Sequence, residues 1–265
     1  MNYILIFFIS ILTATASAMV GLGGGLLLIP FIVLIFGFPL KIVAGTMLFA
    51  MVPYTIVATR QNLKSGYVNF RIGLTMEAGS VLGVITGANV SAFLPDLLLK
   101  TVFILVIVYL MLTLQIPKDS SYNYVARLFS LFNRLPPFMK KCRFSEERLS
   151  LTALILTGFL AGFFSGMLGI GGGFLKTPVL IVGVGLPAKT AVGTALFMIF
   201  ITASTGTITH AFLGHIHYQL GIVIILGMII GAYLGSKILK SQPDQRVKKY
   251  IFIAMLLAGI MTLFR

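Results

Sequence analysis

The chain has 265 residues, of which 58% are hydrophobic and 10% are charged, and its mean hydropathy is +1.05. A water-soluble domain needs a polar surface that this composition cannot supply, so that class of protein is excluded. The formal net charge of +14 suggests nucleic-acid binding, but Lys and Arg lie between apolar runs rather than on one amphipathic face, so we exclude that partner too. The lipid bilayer is the predicted environment.

The first apolar run, residues 3–16, ends in small residues around Ser17 and Ala18, as a secretory signal peptide does. No Lys or Arg precedes the run, and the same stretch has a counterpart inside the chain. We therefore predict that it stays in the mature protein as a membrane helix.

An internal duplication is the strongest pattern in the sequence. Residues 17–25 (SAMVGLGGG) align with residues 165–173 (SGMLGIGGG), an offset of 148. At that offset about 30% of residues 17–87 are identical without a gap. The identical pairs include Pro30 and Pro178, and Lys41 and Lys189. We predict a first transmembrane repeat at residues 1–115, a linker at 116–148 and a second repeat at 149–265.

Each half carries five apolar stretches. They lie near residues 3–20, 22–37, 41–59, 70–94 and 97–115, and again near 150–168, 170–185, 189–213, 218–239 and 248–264. The second stretch of each half is short and contains proline, so it is either a full crossing or part of a re-entrant hairpin. The predicted fold is an all-α polytopic membrane protein with about 8–10 membrane segments.

The charges of equivalent loops predict the orientation of the halves. Residues 60–71 contain Arg60, Lys64 and Arg71, whereas their partners at 208–219 contain no Lys or Arg. Conversely, the loop near 94–100 has one lysine, while its counterpart has five basic residues: Lys237, Lys240, Arg246, Lys248 and Lys249. Since cytoplasmic loops collect Lys and Arg, the repeats are predicted to be inverted in the cell membrane.

The linker has the same kind of basic composition. Residues 116–148 carry seven Lys and Arg side chains, which predicts that the linker is cytoplasmic and both termini are outside. Within the linker, Tyr124–Leu135 mixes aromatic, aliphatic and basic residues, as an interfacial helix does.

The glycine clusters are the first candidates for function, because inverted repeats bind substrate near the midplane, where interrupted helices meet. The candidates are Gly23, Gly24, Gly25, Gly171, Gly172 and Gly173. A helix that starts after each cluster aims free N–H groups and a partial positive charge at a ligand, so two of them form an anion cradle. The alternative is that glycine here only permits close helix packing.

Two ionisable residues interrupt the apolar stretches. Lys176 follows the second glycine cluster, and its repeat partner is Leu28, so it is a candidate anion ligand or gating residue. The alternative is a lysine that snorkels to the interface. Glu77 can carry a proton, but we favour a pairing near the surface with Lys64 or Arg71. Nothing in the sequence relates the segments that carry Lys176 and Glu77.

Four repeat-related hydroxyls complete the predicted substrate site: Ser17, Ser165, Thr46 and Thr194. The alternative is that each hydroxyl bonds to its own helix.

The remaining polar candidates lie outside the apolar stretches. The end of the third stretch is either a mouth for anions or a solvated helix end, and it carries Arg60, Gln61 and Asn62. His210, His215 and His217 cluster without Cys, Asp or Glu, so no metal site is predicted. Cys142 is the only cysteine, which excludes an intrachain disulfide, and no cofactor is predicted.

The two glycine motifs, each followed by proline and then by P-x-K-x3-G-T, resemble the TauE/SafE family of membrane permeases. The segments that carry the resemblance are Gly21–Pro30, Pro39–Thr46, Gly169–Pro178 and Pro187–Thr194. The resemblance implies transport of small sulfur-containing anions, sulfite or organosulfonates, in the direction of export, with uptake by some members. It leaves the substrate of this chain open.

Three other functions compete with a carrier. An intramembrane enzyme needs a nucleophile with a base or a metal set, and the helices offer little beyond Lys176 and Glu77, so no catalytic residue is predicted. An anion channel, or an uptake permease for another small anion, is the main alternative. A scaffold without transport is the third. The sequence does not indicate the oligomeric state.

Overall fold

The computed structural model describes residues 2–115, 129–138 and 149–263. Over these ranges the regular structure is helical, with one isolated β-bridge between Phe138 and Ser150. Five helices are long and apolar enough to cross a bilayer: Tyr3–Val20, Leu40–Lys64, Leu151–Leu168, Ala188–Phe212 and Tyr218–Ser241. The prediction of an all-α polytopic membrane protein is confirmed.

The two halves form the same succession of helices. The first half contains α1 (Tyr3–Val20), α2 (Gly25–Phe36), α3 (Leu40–Lys64), α4 (Phe70–Phe93) and α5 (Asp96–Gln115). The second contains α6 (Leu151–Leu168), α7 (Gly173–Pro178), α8 (Ala188–Phe212), α9 (Tyr218–Ser241) and α10 (Asp244–Leu263). Every helix begins 148 residues after its counterpart, as Leu151 does after Tyr3.

One segment differs between the halves. The first half has a continuous α-helix through Pro30, whereas α7 ends at Pro178 and continues as a π-helical turn, Val179–Gly183. The N–H of Val184 donates to the carbonyl of Val179 at 2.9 Å, which is the wider spacing of a π-helix. Such turns are often found at functional sites, and this one follows the segment that carries Lys176.

The most extensive helix contacts cross between the halves. Helix α4 packs along α6, and the equivalent helix α9 packs along α1. The α3 and α8 helices, which are counterparts, pack against each other. The halves are therefore interlocked, because the fourth helix of each one pairs with the first helix of the other.

Small residues make the α4–α6 contact possible. Gly79, Gly83 and Gly87 face α6, and a Cβ at Gly83 would overlap the backbone carbonyl of Phe159. Glycines on α6 approach α4 in the same way, so that Gly162 meets the carbonyl of Ser80. Packing of this kind replaces the hydrophobic driving force that lipid does not supply between membrane helices.

The α1–α9 contact is the repeat-related version of the same interface. Gly227, Gly231 and Gly235 lie on α9 and face Ser10, Ala14 and Ala18 on α1, with the Cβ of Ala14 only 2.6 Å from where a Cβ of Gly231 would lie. Helix α1 is thus an integral part of the helical packing.

The described part of the linker, residues 129–138, returns to the helices. Phe129 is buried and packs on Gly183 of the π-helical turn. Asn133 Oδ1 accepts from the N–H of Ser150 at 2.7 Å, next to the start of α6. Residues 129–132 are helical, and the rest of the predicted interfacial helix, residues 124–128, lies outside the described residues. Phe129 is buried against protein, whereas Leu131 and Leu135 are exposed, and the interfacial helix stays a prediction.

Candidate functional site

Two glycine loops, defined here as residues 21–24 and 169–172, join the first two helices of each half. Gly21 and Gly169 end α1 and α6 in the left-handed conformation, with φ of 73° and 74°. Gly24 and Gly172 precede α2 and α7 with φ of 79° and 75°. Positive φ is costly for residues with a Cβ, so this reversal requires glycine at these positions.

The two loops lie against each other. A Cβ at Gly25 would lie 2.8 Å from the carbonyl oxygen of Gly169 and 3.2 Å from the Cα of Ile170. A Cβ at Gly173 would lie 3.0 Å from the carbonyl carbon of Leu22. The starts of α2 and α7 are therefore in backbone contact. The glycines both interrupt the helices and permit this close packing.

Met51 and Ile199 are repeat counterparts that close this junction. A Cβ at Gly171 would lie 2.7 Å from the sulfur of Met51 and 3.1 Å from Cγ2 of Ile199. Ile199 also lies against Gly23 and Gly173, and Met51 lies against Gly25. Both residues are fully buried.

The beginnings of α2 and α7 lack a side-chain cap. Neither Gly24 nor Gly172 can supply one, and all of residues 20–30 and 166–174 are buried. The first N–H groups of a helix have no partner within the helix, and a buried helix start without a cap is unusual. Two such starts lie close together and away from solvent.

Two serine hydroxyls near the loops have no partner among the described residues. Ser17 and Ser165 are repeat counterparts, both fully buried, and neither Oγ makes a hydrogen bond. The Cβ of Ser165 lies 3.4 Å from where a Cβ of Gly172 would be. Buried polar atoms are nearly always hydrogen-bonded, so two unpaired hydroxyls at equivalent positions are candidates for contact with a ligand.

Lys176 lies next to Gly172 and is completely buried. Its Cε is 3.3 Å from where a Cβ of Gly172 would be, and its exposed fraction is 0%. Burial of this kind contradicts the snorkelling alternative. The ammonium group donates to Oε1 of Glu77 and to Oγ1 of Thr202.

Glu77 pairs with Lys176 and does not reach Lys64 or Arg71, so the favoured sequence interpretation of Glu77 is wrong. The residue Glu77 is 2% exposed. Thr202 donates from Oγ1 to Oε2 of Glu77 at 2.8 Å, and Ser80 lies 3.2 Å from the same hydroxyl. The error arose because Glu77 lies on the face of α4 that is turned inward, toward α7 and α8. The distance of Glu77 from Lys64 and Arg71 along the chain does not show which way its side chain faces.

Thr46 and Thr194 have a structural role that the sequence analysis did not predict. Oγ1 of Thr194 accepts from the N–H of Asn69 at 2.9 Å, and Oγ1 of Thr46 accepts from the N–H of His217 at 2.9 Å. Each threonine therefore supports the residue that caps α4 or α9 in the opposite half. Thr46 also donates to the carbonyl of Ile42 at 2.7 Å, so the alternative of a bond to its own helix is confirmed for this residue. Both threonines are close to the loops, since Ala44 contacts Gly169 and Val192 contacts Gly21.

The other polar candidates are exposed or have partners outside the loops. Arg60 is exposed, whereas Asn62 is buried and donates to the carbonyl of Ala58 at 2.8 Å, as part of a helix end. His210 and His215 approach each other with 3.1 Å between their Nδ1 atoms, and His217 caps α9. Among the described residues no group of three metal-ligating side chains comes together.

A cavity of about 350 Å³ lies beside α2, away from Lys176. Its lining is apolar except for Lys100 and Thr101. The ammonium of Lys100 lies 3.3 Å from the carboxylate of Asp96, so the cavity presents no free charge to an anion. The glycine loops remain the better candidate.

Comparison with known proteins identifies the type of protein. The profile of the sulfite exporter TauE/SafE family matches residues 6–262. This chain belongs to the TauE/SafE family. Two probable membrane transporter proteins of Bacillus subtilis match nearly end to end: YunE is 24% identical over 100% of this chain and 98% of its own length, and YdhB is 27% identical over 98% and 100%.

The match to a plant relative covers a smaller part of the chain. The sulfite exporter TauE/SafE family protein 5 of Arabidopsis thaliana is 31% identical over 35% of this chain and 20% of its own length. No solved structure matches the chain. Membership of the TauE/SafE family makes the chain a multi-pass membrane transporter type, which agrees with its helices.

Several residues around this candidate site were not predicted from the sequence. Thr202, Met51 and Ile199 lie in the middle of long apolar helices, where nothing in the local sequence distinguishes them. The 148-residue offset carried a usable signal, since it pairs Met51 with Ile199 and Thr202 with Tyr54, another buried hydroxyl without a partner among the described residues.

Proposed function

We propose that this protein transports small sulfur-containing anions, of the sulfite or organosulfonate class, out of the cell. The anion binds between the starts of α2 and α7, where Gly23, Gly24, Gly25, Gly171, Gly172 and Gly173 bring two helix N-termini together. The observation that carries the proposal is the pair of buried, orphaned hydroxyls of Ser17 and Ser165 beside these uncapped helix starts. We assign the protein no catalytic role.

Lys176 supplies the remaining attraction for the anion. An ammonium group has three N–H donors, and two of them reach Glu77 and Thr202, so one is available for a ligand next to Gly172. Thr46 and Thr194 are left with their structural hydrogen bonds. The tetrahedral or pyramidal oxyanion of a sulfur compound can accept from several of these donors at once, which favours this class over a halide.

Export is the direction that the membrane potential favours. Each net negative charge that leaves a cytoplasm held at −100 mV gains about 2.3 kcal/mol. The linker at 116–148 lies on the cytoplasmic side and both termini lie outside in this proposal, as the loop charges predict.

The first test is a flux screen with purified protein in liposomes. Sulfite, thiosulfate, methanesulfonate, sulfate and acetate are offered in turn, and we expect saturable flux with the sulfur oxyanions and little with acetate. Stimulation by the same anion on the opposite side identifies a carrier, whereas flux without saturation identifies a channel. If none of the sulfur anions moves, the proposed function is wrong.

The second test separates binding from folding. Ser165→Ala removes a hydroxyl that makes no hydrogen bond, so the thermal midpoint should stay the same or rise, because an unsatisfied buried hydroxyl is destabilising. Anion affinity should fall by roughly 3- to 10-fold, since a hydrogen bond contributes about 0.5–1.5 kcal/mol. Ser17→Ala should behave alike.

Ser10→Ala is the matched control. Ser10 is buried on the same helix as Ser17, but its hydroxyl donates to the carbonyl of Ile6 at 2.7 Å. Its removal should leave anion affinity unchanged. Equal affinity in wild type, Ser17→Ala and Ser165→Ala would show that the orphaned hydroxyls do not bind the anion.

A further inference from the structure

The buried polar cluster around Lys176 has no copy in the other half. The cluster consists of Lys176, Glu77, Thr202 and Ser80, which are linked to one another by hydrogen bonds. At the 148-residue offset their counterparts are Leu28, Ile225, Tyr54 and Met228. Only one of the two repeat-related positions therefore contains a charged pair, Lys176 with Glu77.

The fold itself does not require this charge. Helices α2, α3 and α9 carry these uncharged counterparts and adopt the same arrangement, with Leu28 and Met228 fully buried. A buried ion pair is seldom more stable than apolar residues of similar size. A pair that one half retains and the other half lacks is thus better explained by function than by stability.

The charge balance of the cluster changes when an anion arrives. Without a ligand, the ammonium of Lys176 and the carboxylate of Glu77 neutralise each other. An anion that takes up Lys176 leaves Glu77 with less compensation in a place that water does not reach, and a lone buried carboxylate is strongly disfavoured. The carboxylate can regain neutrality by taking a proton.

We infer that Glu77 binds one proton together with each anion, so that the protein moves the anion and a proton in the same direction. This inference rests on the proposed function. The proton enters from the aqueous side on which the anion binds, protonates one carboxylate oxygen of Glu77, and leaves with the anion on the opposite side. The net charge moved is more positive by one than that of the anion. The membrane potential then favours export only of anions with at least two negative charges, and a monoanion leaves down its own concentration gradient.

No other ionisable group described here competes for this role. The α6 helix, which packs along α4, contains no ionisable side chain. The neighbouring helices carry five charged or histidine side chains outside the cluster: Arg71 on α4, Lys189 and His210 on α8, and Asp96 and Lys100 on α5. Arg71 is exposed, and the other four have partners outside the cluster. Lys189 donates to the carbonyl of Lys240, His210 contacts the carbonyl of Gly166, and Asp96 pairs with Lys100.

The test counts protons in liposomes that contain the purified protein and an internal pH dye. Methanesulfonate and thiosulfate are the probes, because neither takes up protons near neutral pH and every proton counted is then moved by the protein. We expect about one proton per anion for wild type. Methanesulfonate flux should not respond to an imposed membrane potential, whereas thiosulfate flux should, since a dianion with one proton still carries charge.

Glu77→Gln should uncouple the anion from the proton. Glutamine resembles the protonated carboxyl, so methanesulfonate should still move, without protons, and its flux should become sensitive to voltage. The double variant Glu77→Gln with Lys176→Met removes the buried charge altogether and controls for folding. It should lose anion affinity by at least 10-fold while keeping its thermal midpoint.

The outcomes are distinguishable. If wild type moves either anion without protons, the coupling is wrong and the proposed function stands, and this holds even if the variants do not fold. If no sulfur anion moves with wild type, sulfite and sulfate included, the proposed function fails and the coupling fails with it. Transport by the double variant with wild-type affinity and proton stoichiometry would make the pair a structural feature only.

Discussion

Asn69 and Thr194 belong to different halves of the chain, and the backbone N–H of Asn69 donates to Oγ1 of Thr194 at 2.9 Å. The same bond joins His217 to Thr46 at 2.9 Å, 148 residues away in both partners. A second pair of bonds shows the same relation: the N–H of Leu40 donates to Asp96, and that of Ala188 donates to Asp244. Because each of these hydrogen bonds recurs 148 residues later, the duplication includes individual polar contacts as well as the helices.

The Thr194 bond should contribute measurably to stability. Thr194→Val keeps the shape of the side chain but leaves the N–H of Asn69 without an acceptor, so the free energy of unfolding should fall by about 1–3 kcal/mol. Thermal unfolding in detergent measures the change, and Thr46→Val should give a similar value. Thr194→Ser, which retains the hydroxyl, is the control, and a valine variant as stable as wild type would show that water replaces the bond.

The glycine stripe on α4 should tolerate no side chain. Gly83→Ala places a Cβ against the carbonyl of Phe159, so α4 and α6 must move apart, with a loss of about 1–3 kcal/mol or more. The yield of folded protein and its thermal midpoint should both fall. Leu82→Ala on the adjacent, 61% exposed position changes volume toward lipid and should be nearly neutral. Equal stability of both variants would contradict the close packing.

The inverted orientation of the repeats can be tested with cysteine labelling. Lys64 and Phe212 are repeat counterparts at the ends of α3 and α8, and both are exposed. With Cys142 replaced by serine, cysteines at these two positions should react with a membrane-impermeant reagent from opposite sides. Labelling of both positions from one side would refute inversion.

His215 makes stability depend on pH. Burial, and to a smaller extent the nearby charge of Lys41, lower the pKa of His215 below its usual value of 6.5. The unfolded chain therefore binds the proton at a higher pH than the folded chain, and the free energy of unfolding decreases as the pH falls below about 6.5. The thermal midpoint should be lower at pH 5.5 than at pH 7.5.

A neutral replacement provides the control for this pH effect. Nε2 of His210 donates to the carbonyl of Gly166 at 2.7 Å, so its Nδ1 is an acceptor and His215 is the donor between the two rings. His215→Gln retains a donor that does not titrate, and its thermal midpoint should change less between the two pH values. An identical change in both proteins would assign the effect to another group.

The sequence by itself determined the membrane class, the duplication and the helix succession. These features are properties of composition and of short-range patterning, since apolar length predicts membrane helices and glycine predicts chain reversals such as those at Gly21 and Gly169. It also indicated Ser165, Lys176 and the glycine clusters as candidates, because polar or flexible residues are conspicuous in an apolar background. The family resemblance rested on the same motifs.

Only the tertiary structure decided which candidates meet. Glu77 and Lys176 are 99 residues apart, and their contact depends on how α4 and α7 turn about their axes when the two halves interlock. Thr46 and Ser17 carry the same functional group, yet one hydroxyl supports a helix cap and the other has no partner among the described residues. A hydroxyl or a carboxylate acquires its role from the groups that packing brings within about 3 Å, and a linear pattern does not specify those groups.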